Sequence, residues 1–520
     1  MDVGEDCIVE AGTLLCGLDA QRRPIVRHDV AIEVRGGTIT TIGPRDPQAI
    51  AASGLPRHGS PGAVVIPGLV NAHHHFGLTP LMMGVPFAPL ELWLPRFRAM
   101  RQIGPRLDTL YSAIEMLESG TTTVHHINSG LTGGPEEWHA ATDGILAAYG
   151  EIGMRAGYSF MMRDRNILAY ESDEDVLAAM PKPVRAWLLP RLAPAHVPTA
   201  DYMAFFAEAR ARWEAAAPGR VLFHLAPANL HWCSDASLEL VFSTARAHGA
   251  NVHMHLVETE RQAAFARRRF GRSAVAHLAA LGCLGPELTL GHANWTDRAD
   301  LDLLAEHGCT LCHNASSGLR LGSGIAPVNE MRRRGIPVAL GIDQSNICDD
   351  RDMMIEMKLV WALHRETGLW NDRPDAAEIL AMASEHGANS AGFGDSVGRI
   401  EPGRQADLVL LSADAIGRPF VDPRVPVAEA VLHRGGRHAI DKVLVGGRVV
   451  VAGGRVVSID RDAVMREIAD RLATPETPAE REARTMVDAM MPHLEAFHRA
   501  HAPAEGYRAY RYNAMSDPEA

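Results

Sequence analysis

Short apolar segments rich in β-type residues recur through the middle of the chain. They lie at 63–71, 120–127, 154–162, 221–226, 251–257, 288–293, 309–313 and 336–343. Most of them are followed by a stretch with helical periodicity, as at 299–308 and 327–335. Strands that alternate with helices are typical of parallel βα units, and eight such units close a barrel. The pattern therefore predicts an α/β fold with a (β/α)8 TIM-like barrel over residues 63–396.

A doubly wound open sheet is the alternative architecture for this pattern. It is disfavoured because no glycine-rich nucleotide-binding motif follows the first segment. Two connections of the predicted barrel, at 76–119 and 163–220, are too long to be structureless. We expect them to contain helices that cover a site.

The two ends of the chain have a different pattern, with short strands separated by glycine turns. Residues 1–62 and 397–460 share it, and Gly36-Gly37 and Gly446-Gly447 each separate two β-rich runs. Similar flanks around a different middle predict one small β-sandwich domain assembled from both chain ends. Residues 461–520 are polar with helical patterning, which predicts a helical C-terminal extension.

Composition and charge narrow the class of protein. The 520 residues are 47% hydrophobic, which excludes disorder as the main state. The net charge of −12 disfavours a nucleic-acid partner, and the seven scattered cysteines do not form a disulfide framework. No apolar run approaches the ~20 residues that cross a bilayer, and the first residues lack the pattern of a secretory signal. We expect a cytoplasmic protein without nucleic-acid or membrane partners.

Histidines and one aspartate fall at the C-terminal ends of the predicted barrel strands, where the active sites of such barrels lie. The strand ends read His73-His74-His75, His253-Met-His255-Leu-Val-Glu258, Gly291-His292, Cys312-His313 and Gly341-Ile-Asp343. Side chains alternate along a strand, so His73 and His75 share one face while His74 points the other way. Five strand ends with such residues predict a metal site rather than isolated histidines.

Several motifs resemble the amidohydrolase superfamily. They are Pro67-Gly-Leu-Val-Asn-Ala-His-His-His75, His253-Met-His-Leu-Val-Glu-Thr259, Leu321-Gly-Ser-Gly-Ile-Ala-Pro327, Val338-Ala-Leu-Gly-Ile-Asp343 and Gly398-Arg-Ile-Glu-Pro-Gly-Arg-Gln-Ala-Asp-Leu-Val409. More narrowly, the chain resembles the branch that holds cytosine, guanine and adenosyl-homocysteine deaminases and the triazine hydrolases. The resemblance extends to about residue 460, and no motif covers 163–220 or 461–520.

The resemblance implies one divalent metal ion per chain, with zinc favoured and ferrous iron as the alternative. The implied metal ligands are His73, His75, His255 and Asp343. Other members of the superfamily bridge two ions with a carboxylated lysine on the fourth strand. The fourth segment here, 221–227, contains no lysine. We therefore expect a mononuclear site.

The resemblance also implies three catalytic residues. Asp343 is expected to take a proton from the attacking water, and Glu258 to carry a proton to a substrate nitrogen or leaving group. His292 is expected to hold the attacking oxygen and to stabilise the tetrahedral intermediate. His253 shares a face with His255 deeper in the barrel, and we interpret it as structural.

Four residues are candidate substrate contacts: Arg163, His126, His313 and Trp93. Arg163 follows the third segment, and its guanidinium group is suited to hydrogen-bond a ring carbonyl or an anionic group of the substrate. Trp93 suits stacking on a flat ring. Strand alternation sends one of His125 and His126 into the barrel mouth. His313 matches a histidine frequent in the deaminase branch, although the residues after it depart from the usual pattern.

These features predict an enzyme that hydrolyses carbon–nitrogen bonds other than peptide bonds. The expected reaction is deamination of an amino-substituted nitrogen heterocycle of purine, pyrimidine, pterin or triazine type, by a metal-activated water. The alternative is hydrolysis of another C–N or C–Cl bond, as in triazine dechlorination, N-dealkylation, or amide or carbamate cleavage. A non-catalytic scaffold is disfavoured because it has no need of Asp343 and Glu258. The relatives imply a homodimer.

Overall fold

The computed structural model describes residues 4–129, 133–366, 368, 369 and 373–501. Within them, sixteen strands form two sheets. The strands are β1 (Cys7–Leu18), β2 (Pro24–Arg35), β3 (Thr38–Pro44), β4 (Arg57–Pro67), β5 (Leu69–His74), β6 (Thr121–Asn128), β7 (Arg155–Met162), β8 (Val221–Pro227), β9 (Val252–Leu256), β10 (Leu288–His292), β11 (Thr310–His313), β12 (Val338–Leu340), β13 (Leu408–Ser412), β14 (Ile440–Val445), β15 (Arg448–Ala452) and β16 (Arg455–Val456).

Helices fill most connections between the strands. They are α1 (Pro47–Ala52), α2 (Leu90–Trp93), α3 (Pro105–Glu118), α4 (Pro135–Ile152), α5 (Asp173–Ala178), α6 (Lys182–Leu192), α7 (Thr199–Ala216), α8 (Asp235–His248), α9 (Glu260–Phe270), α10 (Ala274–Ala280), α11 (Arg298–Glu306), α12 (Ala315–Arg320), α13 (Val328–Arg333), α14 (Met353–Leu363), α15 (Ala376–Ala381), α16 (Gly387–Ser390), α17 (Ala413–Gly417), α18 (Val427–Arg434), α19 (Arg461–Ala473) and α20 (Pro478–Ala500). Short 3₁₀ turns lie at Leu94–Ala99, Ala193–Ala195 and Arg437–Ala439, and a π-helical turn lies at Met382–His386.

Strands β5 to β12 pair in chain order as one parallel sheet. The sheet nearly closes on itself where the backbone N–H of Asp343 donates to the carbonyl oxygen of His73 at 2.8 Å. An isolated parallel bridge between His74 and Asp343 lies at the same place. The predicted (β/α)8 barrel is thus confirmed. Both long connections contain helices as expected, namely α2 and α3 in the first and α5 to α7 in the second.

The first predicted segment, 63–71, divides between the two sheets at Gly68. The residues before Gly68 belong to β4, and the barrel begins with β5. Both faces of β4 are buried, because Val64 packs in the core shared with the barrel while Val65 packs in the core of the other sheet. A strand that is buried on both faces reads as a continuous apolar run, which hides the break. The boundary predicted at 62–63 therefore falls inside β4.

The second sheet, here called the terminal sheet, contains β1–β4 and β13–β16. Antiparallel pairing of β4 with β13 joins the two ends of the chain, and Ile32 and Leu408 share one apolar core. The backbone N–H of Ile39 donates to the carbonyl oxygen of Arg404 at 2.8 Å, which curls the sheet around that core. The prediction that both ends build one β structure is confirmed. Its strands form a single curled sheet rather than two facing sheets.

Helices α19 and α20 extend the chain beyond the terminal sheet. Apolar residues of α20, including Met490 and Leu494, pack with Trp187 and Leu188 of α6, in the long connection after β7. Residues 502–520 of the predicted helical extension lie outside the described residues. In the part of the chain that the structure describes, no helix is both long enough and apolar enough to cross a membrane.

Candidate metal centre and active site

Three imidazole rings meet at the carboxyl end of the barrel. His73 lies in β5, His75 follows that strand, and His255 lies in β9. The Nε2 atom of His75 is 3.1 Å from Nε2 of His73 and 3.1 Å from Nε2 of His255. Two bonds of about 2.0–2.1 Å from a tetrahedral zinc ion place their nitrogen atoms about 3.3 Å apart. The spacing of these nitrogen atoms therefore fits three ligands of one metal ion.

Hydrogen bonds orient two of these rings so that Nε2 faces the centre. Nδ1 of His75 donates to the carbonyl oxygen of Ile127 at 2.8 Å, and Nδ1 of His73 lies 2.8 Å from Nε2 of His253. A proton on Nδ1 leaves Nε2 with a free lone pair, which is the form that binds a metal. Burial lowers the pKa of His75 to about 4 and lowers that of His73 well below its ordinary value. Both rings are neutral at physiological pH.

Asp343 brings a carboxylate to the same centre. Its Oδ1 lies 3.3 Å from Nε2 of His75 and 3.7 Å from Nε2 of His73, and it accepts no hydrogen bond from the described residues. Its Oδ2 accepts a hydrogen bond from Ser317 Oγ at 2.6 Å. Burial raises the pKa of Asp343 to about 7. A buried carboxylate oxygen without a donor, facing neutral imidazoles, fits a divalent cation.

The backbone at two strand ends adopts a left-handed conformation. The φ angle is 70° at His292 and 64° at Asp343. Such angles cost of order 1–3 kcal/mol at non-glycine residues and occur at functional sites, where the surrounding structure holds them. They turn both side chains toward the centre at the points where β10 and β12 end.

Glu258 and His292 lie beside the proposed ligands. Oε2 of Glu258 is 3.8 Å from Nε2 of His292, which is 4.0 Å from Oδ2 of Asp343. Burial raises the pKa of Glu258 well above its ordinary range, and the charges of Asp343 and Glu91 add to this effect. Burial also lowers the pKa of His292 to about 3. A carboxyl group that holds a proton therefore lies next to a neutral imidazole, an arrangement suited to proton transfer.

Three residues that the sequence did not single out, in α12 and in the loops on either side of it, complete the hydrogen bonding of this site. Besides Ser317 on Asp343, Ser323 Oγ donates to Oε1 of Glu258 at 3.4 Å, and Asn314 Nδ2 lies 3.4 Å from both ring nitrogens of His292. Ser323 belongs to the Leu321–Pro327 motif, and membership in that motif was the one feature of the sequence that could have pointed to it. Ser317 and Asn314 follow β11 and carry no signal of their own.

Two predicted substrate contacts point away from the barrel mouth. Nδ1 of His126 lies 2.8 Å from the hydroxyl oxygen of Tyr149 on α4, and Nε2 of His313 lies 3.0 Å from Nε2 of His364, which follows α14. Both rings are on the helix-facing side of their strands, because alternation turns a neighbouring residue inward, as it does Cys312 before His313. The predictions for His126 and His313 were therefore wrong.

Trp93 and Arg163 have different surroundings. Trp93 is 1% exposed and packs edge-on against Phe97 at 4.6 Å, so it has no free face for a substrate ring. The predicted role of Trp93 is therefore corrected to packing of the wall formed by α2. Arg163 follows β7 at the mouth, with its guanidinium carbon 3.9 Å above the ring of Trp232.

His73 fits into a space that a glycine keeps open. A Cβ atom at Gly341 would lie 2.5 Å from Cβ of His73 and 2.3 Å from Oδ1 of Asn314. We expect Gly341→Ala to displace His73 and to lower turnover by roughly 10²-fold, the usual effect of a displacement of about 1 Å. Metal content should fall with it, as elemental analysis will measure. Gly150→Ala, where a Cβ meets nothing within 4 Å, is the matched control, and equal behaviour of the two variants would contradict this account.

A buried histidine below the centre makes stability sensitive to acid. Nε2 of His224 donates to the carbonyl oxygen of Ala391 at 3.0 Å, and Nδ1 accepts from the backbone N–H of Asn251 at 3.3 Å. Burial lowers the pKa of His224 to about 4, against roughly 6.5 in the unfolded chain. The stabilising contribution is complete above pH ~6.5 and is lost as the pH falls toward the folded pKa.

We expect His224→Gln to reduce this loss of stability. The variant keeps a donor and an acceptor but cannot take the proton. Between pH 7.5 and pH 4.5 its free energy of unfolding should fall less than that of the wild type, by on the order of 3 kcal/mol. Urea unfolding at the two pH values measures the difference. Parallel losses in both proteins would show that His224 does not carry the effect.

Comparison with known proteins agrees with this geometry. The sequence model of the amidohydrolase family matches residues 64–450. The chain is 27% identical over 467 residues to a 5'-deoxyadenosine deaminase of Methanosarcina mazei, across 89% of this chain and 96% of that one. It is 28% identical over 440 residues to a 5-methylthioadenosine/S-adenosylhomocysteine deaminase of Desulforudis audaxviator. That alignment covers 82% of this chain and 88% of the relative.

Solved structures have the same architecture. A zinc-bound adenosine deaminase from Xanthomonas campestris superposes with a TM-score of 0.72 at 26% identity, across 93% of this chain and 98% of that one. The zinc complex of an atrazine chlorohydrolase from Arthrobacter aurescens TC1 superposes with a TM-score of 0.76. The superposition covers 89% of this chain and 99% of that one. At 21% identity, this second likeness concerns the fold alone. The match over the whole barrel and part of the terminal sheet makes this chain a member of the amidohydrolase family.

Proposed function

We propose that this protein removes an amino group from a nitrogen heterocycle by hydrolysis and releases ammonia. The observation that carries the proposal is the meeting of three imidazole Nε2 atoms with the free Oδ1 of Asp343, next to the protonated carboxyl of Glu258. The relatives named as deaminases of 5'-deoxyadenosine and 5-methylthioadenosine support an adenosine-type ring as the first substrate to test. A homodimer and a cytoplasmic location stay predictions.

One divalent ion, with zinc favoured, is part of the proposal. His73, His75, His255 and Asp343 would hold it, and it would supply a Lewis acid that makes water nucleophilic at neutral pH. Zinc in the structure of the adenosine deaminase from Xanthomonas campestris supports the choice of metal. Strand β8 has no lysine to bridge a second ion.

The proposed roles of the surrounding side chains follow from where their protons lie. Asp343 would hold the ion through Oδ1, and its Oδ2, which also accepts a hydrogen bond from Ser317, accepts a proton from the attacking water. Glu258 begins protonated and donates to the ring nitrogen. It then takes the remaining proton of the added water oxygen and passes it to the departing amine, and the proton accepted by Asp343 returns to Glu258. His292 is neutral, and its N–H donates to the oxygen that attacks the ring. The leaving group therefore departs as neutral ammonia.

Metal analysis followed by a substrate panel tests the proposal. Elemental analysis should give close to one zinc or iron per chain, because four ligand side chains surround one point. Ammonia release should then be measured with aminopurines and their nucleosides, aminopyrimidines, pterins and aminotriazines. Two tightly bound ions per chain would contradict the mononuclear site. Release of chloride, an alkylamine or a carboxylate in place of ammonia would favour the alternative reaction, hydrolysis of another C–N or C–Cl bond. The same residues would catalyse it.

A further inference from the structure

Glu356 on α14 is a buried carboxylate that binds the start of α12. Its side chain is shielded from solvent, and so is that of Ser316, since both residues are 0% exposed. Oε1 of Glu356 accepts a hydrogen bond from the backbone N–H of Ser316 at 3.0 Å, and Oε2 accepts one from the hydroxyl group of the same residue. Glu356 forms no ion pair with any residue that the structure describes. Both of its oxygen atoms therefore hold one serine.

Ser316 lies between two residues that contact catalytic side chains. Ser317 Oγ donates to Oδ2 of Asp343 at 2.6 Å, and Nδ2 of Asn314 lies 3.4 Å from both ring nitrogens of His292. Adjacent Cα atoms are about 3.8 Å apart and are joined by planar peptide units. A shift of Ser316 therefore displaces both of its neighbours from their contacts.

The helix that carries Glu356 is fixed to the opposite side of the metal centre. Arg351, just before α14, donates to the carbonyl oxygen of Phe76 at 3.0 Å and to that of Gly77. These two residues directly follow His75, which is a proposed metal ligand. Glu356 thus connects the chain after β11 to the chain after β5 across the barrel mouth.

Helix α12 is also held at its other end and along its side. Arg320, the last residue of α12, pairs with Asp349 at 2.7 Å rather than with Glu356. A Cβ atom at Gly318 would lie 2.2 Å from the carbonyl oxygen of Gly324. The helix therefore fits closely into its place, and Glu356 holds its first turn.

A buried carboxylate without a paired cation is unfavourable for stability. The cost of removing an ion from water is several kcal/mol. Burial raises the pKa of Glu356 to about 7, although the hydrogen bonds from Ser316 act in the opposite direction. An apolar side chain of similar size would fill the same space without burying a charge. What the carboxylate adds is direction, because two hydrogen bonds to one residue fix its orientation as well as its distance.

We propose that Glu356 is a positioning residue of this active site. By holding Ser316, it keeps the two neighbouring side chains in contact with Asp343 and His292. The inference rests on the proposed function, because it concerns the proton acceptor and the donor to the attacking oxygen that were assigned there. Glu356 should therefore affect turnover rather than substrate binding.

Two variants of Glu356 test the effect on turnover. Glu356→Leu removes both acceptors at a similar volume, and kcat of the zinc-loaded enzyme should fall by roughly 10²-fold, the usual effect of a displacement of about 1 Å. Glu356→Gln keeps an acceptor for the N–H of Ser316 but not for its hydroxyl group, so the loss should be smaller, roughly tenfold. KM should change by less than about threefold in both variants, because the carboxylate does not touch the substrate.

Met357→Ala is the matched control for a loss of stability. Met357 follows Glu356 on α14 and is 1% exposed, so its truncation leaves a cavity and should lower the Tm. Its kcat should stay close to that of the wild type. Wild-type kcat in both Glu356 variants, or an equal fall in Met357→Ala, would overturn the proposal.

A double variant shows whether Glu356 acts through a neighbour of Ser316. Ser317→Ala removes the hydrogen bond to Asp343 and should itself lower kcat by roughly 10- to 100-fold. Residues that act as a unit are not additive, so the loss in Glu356→Leu/Ser317→Ala should be smaller than the product of the two single losses. Losses that multiply in full would show that the two residues act independently, which would contradict the proposal.

Amide hydrogen exchange tests the contact without a substrate or a metal ion. The backbone N–H of Ser316 is bound to Glu356, so the peptide 311–320 should exchange faster in Glu356→Leu by roughly tenfold or more. Glu356→Gln should show a smaller increase, because a neutral amide oxygen accepts a weaker hydrogen bond than a carboxylate does. If Glu356→Leu does not fold, Glu356→Gln therefore serves in every comparison.

This measurement separates failure of the inference from failure of the proposed function. If no heterocycle releases ammonia, the proposed function fails, and the exchange of the peptide 311–320 still decides whether Glu356 holds Ser316. Exchange in the Glu356 variants at the rate of the wild type, or an equal increase in Met357→Ala, would overturn the positioning role.

Discussion

His73→Ala and His75→Ala should each yield protein without its metal ion and without measurable turnover. Each change removes one of three neutral imidazole nitrogens that lie about 3.1 Å apart around one point. Removal of a direct ligand should exceed the 10–100-fold loss that removal of an outer partner causes. Elemental analysis and ammonia release on the same preparations measure both effects.

His74→Ala is the matched control, one residue away from each ligand. Nε2 of His74 lies 3.2 Å from Ser112 Oγ on α3, so its ring faces the helices rather than the centre. The variant should unfold more easily because it leaves a cavity, yet it should retain one metal ion per chain. Loss of the metal as complete as in the two ligand variants would contradict the register of β5.

Glu258→Gln should retain one metal ion and bind substrate, but its turnover should fall by roughly 10²–10⁴-fold. Glutamine keeps the volume and the hydrogen bond with Ser323 but cannot exchange a proton. Steady-state kinetics beside metal analysis measure this, with Glu260→Gln at the start of α9 as the control for charge removal nearby. Asp343→Asn should be at least as damaging, because it weakens a ligand and removes the proton acceptor together.

The leaving group offers a second test of Glu258. The amino group must be protonated to depart as ammonia, whereas chloride leaves without a proton. If the enzyme accepts a chlorinated analogue, the loss caused by Glu258→Gln should therefore be smaller with that analogue than with the amino compound. Deamination by Glu258→Gln at close to the wild-type rate would remove this residue from the proposed mechanism.

Much of the architecture was predictable from local patterns. The short apolar runs and the helical stretches between them predicted eight parallel strands, because each βα unit repeats the same local pattern. The residues predicted as ligands also stood out, since strand ends bring His73, His255 and Asp343 to one rim once a barrel is assumed. The strands followed from short stretches of sequence, whereas the assignment of the four ligands also drew on the resemblance to the amidohydrolase superfamily.

Whether a side chain at a strand end points into the barrel or toward the helices was harder to predict. A shift of one residue turns a side chain to the other side of a sheet, so the sequence could not decide between His125 and His126. The pairing of β5 with β6 changes register between Asn71 and His74. His292 leaves its strand with a positive φ, which strict alternation does not anticipate.

The sequence by itself determined the kind of fold and placed the residues of the candidate metal centre at strand ends, because the alternation of strands and helices and the residue types are visible in short stretches of chain. Only the tertiary structure decided which residues after the barrel strands complete the site. Ser317 reaches Asp343 across 26 residues of chain, and Asn314 reaches His292 across 22. Such contacts depend on how connections fold over the barrel mouth, and their energy comes from burial and pairing between distant segments. A local sequence pattern therefore cannot predict these contacts.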